Sequence, residues 1–179
     1  SALLCVATSG FSTRPWCQQE IGWALARHAP ILWIQYEAKE VPCGFLASQQ
    51  ALIPDEPKDQ SQVALSVMEW LADKSNTRDD LADTLLTALE KAEHYDDARS
   101  AAELLAILKS LSAEEWCRIE RAANNNRQVG NAYVWTGNYF VPMEQQPRVL
   151  QWLKEKLEIS TLAGSLTGEN ATRRSTKSV

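Results

Sequence analysis

The residues best placed to do chemistry lie in the stretch STRPWCQQEIGWALARH, Ser12–His28. Pro15 suits a first helical turn and Ser12 or Thr13 can cap it, so the stretch reads as a helix. Within it Glu20 falls on the stripe of Trp16, Trp23 and Ala24, the side expected to turn inward. A carboxylate there is either tied up in an ion pair, with Arg14 or Arg27 as partner, or it serves a site. In a partly dry cleft one carboxylate can stabilise positive charge as it develops on a reacting group.

The other reactive side chains offer less. Cys5, Cys17, Cys43 and Cys117 are widely spaced and contain no C-x-x-C pair, so neither a disulfide framework nor a zinc site is expected. Cys5 and Cys117 read as buried, reduced thiols. His28 and His94 have no Cys or Ser at a spacing that proposes a nucleophilic pair. The acidic pairs Asp79/Asp80 and Asp96/Asp97 read as solvated helix starts.

These residues sit in a chain of 179 residues, 45% hydrophobic, with seven tryptophans and a formal net charge of −5. That length fits one domain, or one domain with a helical appendage. The acidic balance argues against a general nucleic-acid binder, which needs a Lys/Arg surplus on one face. The basic cluster Arg173, Arg174 and Lys177 lies in a polar, Ser/Thr-rich end expected to be mobile. No apolar run reaches membrane-spanning length and no signal-peptide pattern appears, so a cytoplasmic protein without a membrane partner is expected.

The elements that must position the candidate residues can be read in order. ALLCVAT, Ala2–Thr8, is a continuous apolar run suited to a parallel strand covered on both faces. The Ser12–His28 helix follows, then ILWIQY, Ile31–Tyr36, a second strand; together they make a βαβ unit. A short third strand is expected near Phe45–Gln49. Beyond IPDEPKDQ the pattern is helical: Gln62–Lys74, Arg78–Glu93 behind a Thr77/Asp79 start, Ala98–Leu108, and a helix capped by Ser112 with Glu115 three places on. NNNRQVGN is expected to end that helix, and Pro147–Glu158 forms the last. The resulting division is residues 1–75, an α/β half-domain; 76–159, a helical extension; and 160–179, a disordered tail. Three parallel strands cannot bury both faces and leave no exposed edge. The sheet therefore reads as half of a larger one, completed by a preceding segment or by another chain.

Taken together, Ser9–Leu52 resembles the second half of a TIR (Toll/interleukin-1 receptor-like) domain of the bacterial type. Trp16, Cys17 and Glu20 match its W-C-x-x-E signature. Gly22 and Ala24 match the small positions where that helix meets the sheet, and CGFLASQQAL resembles the closing strand. The resemblance covers roughly residues 1 to 55. It implies a flavodoxin-like fold with strand order 2-1-3-4-5, of which this chain carries the last three strands. The fold class expected is thus α/β, a partial flavodoxin-like parallel sheet followed by an all-helical C-terminal region. SAEEWCRIERAANNNRQVGNAY resembles helical extensions that follow some bacterial TIR domains.

The resemblance also implies an activity. Catalytic TIR domains cleave NAD between nicotinamide and ribose, and their essential glutamate matches Glu20. Ordinary glycosidases need two carboxyl groups, one of which protonates the leaving group. Nicotinamide in NAD is already cationic and leaves neutral, so one carboxylate suffices to stabilise the oxocarbenium-like ribose. Water then gives ADP-ribose, and attack by the adenine ring of the same molecule gives a cyclic product. On this reading Glu20 is catalytic, and Trp16, Cys17 and Ser9 contact the substrate. Trp16 walls the site, Cys17 matches a residue that tunes activity in some relatives, and Ser9 bonds a ribose hydroxyl or simply ends the strand. NAD is the substrate, no separate cofactor or metal is called for, and a bacterial defence or signalling role follows. The competing expectation is a non-catalytic signalling or scaffold module that acts through TIR–TIR and helical contacts.

Overall fold

A computed structural model describes residues 1–54, 60–135, 137 and 142–157. The tail expected from residue 160, with its basic cluster, lies outside the described residues. The chain divides into two compact units, Ser1–Asp79 and Asp80–Val179. The first is α/β and the second is helical.

In the first unit β1 (Leu3–Ala7), β2 (Ile31–Gln35) and β3 (Ala51–Leu52) form a parallel sheet in the order β1-β2-β3. Leu3 pairs with Ile31 and Ala7 with Gln35, while Trp33 pairs with Ala51. Ile31, Leu32, Trp33 and Ile34 are all buried, as a central strand covered on both faces requires. The run that forms β1 behaves differently. Cys5 and Ala7 are buried, but Leu4 and Val6 are 42% and 49% exposed, so β1 is an edge strand with one open face. The α/β class, the parallel order and the unfinished sheet agree with the sequence reading.

Helix α1 (Pro15–Ala26) covers one face, burying Ile21 and Ala24 in a cluster with Cys5, Ala7, Phe11, Ile31, Trp33 and Leu46. The expected third strand at Phe45–Gln49 is not formed. Gly44 takes φ +58°, and Leu46, Ala47 and Gln49 donate to carbonyls three residues back, so Gly44–Leu46 is a 3-10 turn. Only after it does the chain reach β3, where the Gln49 side chain bonds the Ile31 carbonyl. Helix α2 (Gln60–Ala72) shares with β2 and β3 a groove lined by Leu32, Ala51, Ser66 and Trp70.

The unit boundary falls within α3 (Ser75–Glu90), which begins three residues before the expected start. Thr77 does not initiate it. Its hydroxyl donates to the Leu71 and Lys74 carbonyls, closing the turn between α2 and α3. Then come α4 (Tyr95–Leu105), α5 (Ala113–Asn125), α6 (Arg127–Asn131) and α7 (149–157). The Ser112 cap is as read: its hydroxyl accepts from Glu115 N–H at 3.2 Å and Glu115 accepts from Ser112 N–H at 2.6 Å. NNNRQVGN ends α5 but also starts α6, because Asn126 leaves the helix and its side chain accepts from Gln128 N–H at 2.9 Å. Asn126 Nδ2 meanwhile donates to the carbonyls of Glu90 and Ala92. At Gly130 a Cβ would sit 2.4 Å from the Ala123 carbonyl oxygen, so α6 turns back on α5 only with glycine there. Cys117, expected to be buried, is exposed, since α5 turns Ile119 and Ala122 inward instead.

Arg118 on α5 anchors the acidic side of α3. It donates to Glu90 at 2.9 and 3.1 Å and to Asp83 at 2.6 Å, and the ion pair holds the Glu90 carboxyl below its usual range. The core of this unit includes Leu86, Leu89, Leu105, Ile119, Val129 and Leu153, none more than 1% exposed. Leu105→Ala is expected to lower unfolding free energy by about 2–5 kcal/mol, the cost of an apolar cavity. Urea denaturation of the full chain followed by far-UV circular dichroism measures it.

Candidate functional site

The β1–α1 loop, Thr8 to Arg14, leaves the C-terminal end of β1, the end at which open α/β sheets place ligands. Its shape is set by a side chain from elsewhere. Glu40 brings its carboxylate to this loop and accepts from Gly10 N–H at 2.6 Å, from Ser12 N–H at 3.0 Å and from the Ser12 hydroxyl. Those bonds, with Arg14 nearby, pull the Glu40 carboxyl below its ordinary value. The Glu40 carbonyl accepts from Trp33 Nε1 at 2.9 Å, and Trp33 packs edge-on against Phe11 at 5.0 Å. One residue thus ties the loop to the centre of the sheet. Nothing in the sequence singled Glu40 out, because its partners lie 28 and 30 positions away.

The loop also corrects the expected caps. Ser12 is taken by Glu40, Thr13 donates to the Gly10 carbonyl, and Arg14 occupies the cap position of α1 without a side-chain bond. Pro15 opens the helix as expected.

The stripe of Trp16, Glu20 and Trp23 does not face the core. Trp16 is 78% and Trp23 59% exposed, and Glu20 is exposed with them. The buried stripe runs through Cys17, Ile21 and Ala24, about a quarter turn away. Ala24 is therefore the one member of the expected stripe that points inward. The error has a physical source: α1 is apolar on most sides, so spacing alone does not decide which side meets the sheet.

Glu20 makes no hydrogen bond or ion pair with the described residues. Arg14 donates instead to the Ser9 carbonyl at 3.1 Å, and Arg27 lies 4.3 Å above the Trp23 ring. Glu20 is nonetheless close to β1. Burial, then the neighbouring Cys17, then the Glu20 charge push the Cys5 thiol up to about 11. Leu25, on the opposite flank of α1, packs into the cluster that extends to Ala51 of β3. The right-handed crossover expected of β1–α1–β2 turns the Trp16–Glu20–Trp23 flank toward the β1 side of the sheet. Ser9 is exposed at the strand tip and Cys17 is half-buried.

The helical unit carries a separate cleft of about 840 Å³, lined by His94, Tyr95, Arg99, Arg127, Tyr133 and Met143 among others. Arg99 is held by Asp96 at 2.9 Å and donates to the Tyr133 carbonyl. Sequence reading did not find this cleft, whose walls come from elements some 30 residues apart. Among the described residues no cluster of three or more His, Cys, Asp or Glu could hold a metal ion, and no helix is long and apolar enough to cross a membrane.

No family model matches this chain, and neither a curated protein nor a solved structure matches it.

The Glu40 contacts set an acid dependence. The folded carboxyl titrates below its unfolded value, so its stabilisation is present above the unfolded pKa and is lost as pH falls through the folded one. Glu40→Gln is expected to lower the melting temperature at neutral pH and to flatten its fall between about pH 5 and pH 3. Melting followed by circular dichroism across that range reads both effects; a variant whose profile overlays the wild type would contradict them.

Proposed function

We propose that the α/β unit is an association module of the TIR type, which works by having its sheet continued beyond β1. The observation that carries this is the edge of β1, unpaired among the described residues, with Leu4 and Val6 exposed along it and Trp16 and Trp23 exposed on the flank of α1. Natural edge strands are blunted by charge, proline or bulges. LLCVA has no such device. Exposed apolar groups gathered around an unpaired strand are the mark of a surface meant to be covered.

The resemblance of the Trp16-Cys17-x-x-Glu20 stretch to TIR domains supports the same reading, since members of that family act by associating with one another. Partners on this reading are other TIR domains or further copies of the chain. Light scattering on the purified full chain is expected to show either self-association or co-elution with an added TIR domain. A chain that stays monomeric and captures no such domain would contradict the proposal.

One observation favours a second reading, NAD glycohydrolase activity. Glu20 forms no ion pair with the described residues and lies on the flank above the open edge, where a continued sheet would supply the facing wall of a cleft. In that cleft the carboxylate would stabilise the ribose cation as neutral nicotinamide leaves, with Trp16 as a wall and Cys17 and Ser9 at its margin. The cleft would belong to the assembled form. Glu20→Ala in the assembled protein is then expected to abolish nicotinamide release from NAD, measured by chromatography, while leaving assembly intact; turnover at the wild-type rate would remove this reading.

A further inference from the structure

The helical unit carries a second, smaller cleft, whose chemistry is independent of how the sheet edge is covered. Its residues come from NNNRQVGN and from the start of α7. Asn124 and Asn125 end α5, and Gly130 lets α6 turn back close to the Ala123 carbonyl, which sets Arg127 and Asn131 beside them. Val134 N–H donates to the Pro147 carbonyl at 2.9 Å and Val149 N–H to the Ala132 carbonyl at 3.0 Å, and this pairing brings up Arg148 and Gln151. The space they line is about 600 Å³, within the ~300–1,000 Å³ of small-molecule pockets.

Two guanidiniums line this cleft and no Asp or Glu does. Elsewhere in the unit Arg99 is held by Asp96 and Arg118 by Asp83 and Glu90. Arg127 makes no hydrogen bond or ion pair among the described residues. Arg148 reaches the Gly130 carbonyl at 3.5 Å and lies 5.9 Å from the Tyr133 ring, contacts that orient its charge without neutralising it. Glu155, one turn along α7, accepts from Gln151 Nε2 at 2.9 Å and is not part of the lining. In a chain of net charge −5, two cations grouped without a carboxylate make a local site for an anion.

We propose that this cleft binds a phosphorylated sugar, its phosphate held between Arg127 and Arg148. A phosphate monoester carries a charge of about −1.5 to −2 at neutral pH and so matches both guanidiniums, whereas a carboxylate matches one. Its three terminal oxygens suit the forked donors of arginine. The rest of the lining selects the body of the ligand. The carboxamides of Asn124, Asn125 and Asn131 make no hydrogen bond among the described residues, and Gln151 keeps its Oε1 free. A carboxamide donates and accepts, as a sugar hydroxyl does. No aromatic ring lines the cleft and its apolar side chains are Ala123 and Leu150, so nothing there would stack on a nucleobase.

Isothermal titration calorimetry of the full chain at fixed ionic strength tests this with glucose 6-phosphate, ribose 5-phosphate, glucose and inorganic phosphate. At least one sugar phosphate is expected to bind at a single site, more tightly than inorganic phosphate, and glucose to give no heat. Arg127→Gln and Arg148→Gln are each expected to weaken binding by about tenfold or more, as loss of a charge-assisted hydrogen bond does. Lys91→Gln, which removes a charge outside the cleft, is expected to bind as the wild type does. Circular dichroism checks the fold; if Arg148→Gln alters the spectrum, Arg127→Gln decides. No heat from either sugar phosphate at millimolar concentration overturns the proposal, as does an equal loss in Lys91→Gln and Arg127→Gln. Inorganic phosphate bound as tightly as the sugar phosphates overturns the sugar as ligand.

Discussion

An unpaired backbone edge is the constraint on which the α/β unit turns. A buried or half-buried strand must satisfy its N–H and C=O groups, and among the described residues β1 pairs on one side only. β2 has neighbours on both sides and covers on both faces, and four of its five residues are buried. β1 has the same kind of sequence, an apolar run without alternation, yet two of its five side chains stand in the open. A strand written for an interior position and found at an edge marks where the sheet is meant to continue.

That constraint also explains the position of Glu20. A carboxylate on an apolar helix is costly if buried and unpaired, and here it is exposed, with no ion pair among the described residues. It lies between two exposed tryptophans on the flank that looks over the free side of β1. The flank becomes an inner surface only when something extends the sheet. The Glu40 contacts act at the other end of the same region. By gathering Gly10 and Ser12 onto one carboxylate and resting on Trp33, they fix the loop from which α1 starts, and so fix the direction in which the flank faces.

The parts of this architecture that are local in sequence were legible. β1, β2 and their connecting helix follow from apolar runs broken by Ser-Gly and by Ala-Pro. The Ser112–Glu115 box follows from two residues three apart. What was misread depends on contacts the spacing does not encode. Apolar residues on most sides of α1 left its inward face undetermined, and the Ile21/Ala24 stripe won because it meets Cys5, Ala7 and Trp33. Residues 45–49 have strand-like composition, but Gly44 at positive φ turns them into a 3-10 segment and moves the strand to Ala51. Glu40 and the helical unit's cleft were invisible because each joins residues some thirty positions apart.

The account depends most on the free side of β1 becoming paired, and amide hydrogen exchange at Leu4 and Val6 measures that directly. Both N–H groups point away from β2, so in a single chain they exchange at the rate of exposed amides while those of Cys5 and Ala7 are protected. As concentration rises, or on addition of a competent partner, the account predicts that Leu4 and Val6 become protected with Cys5 and Ala7. Exchange at Leu4 and Val6 that stays fast in the fully associated protein would contradict it.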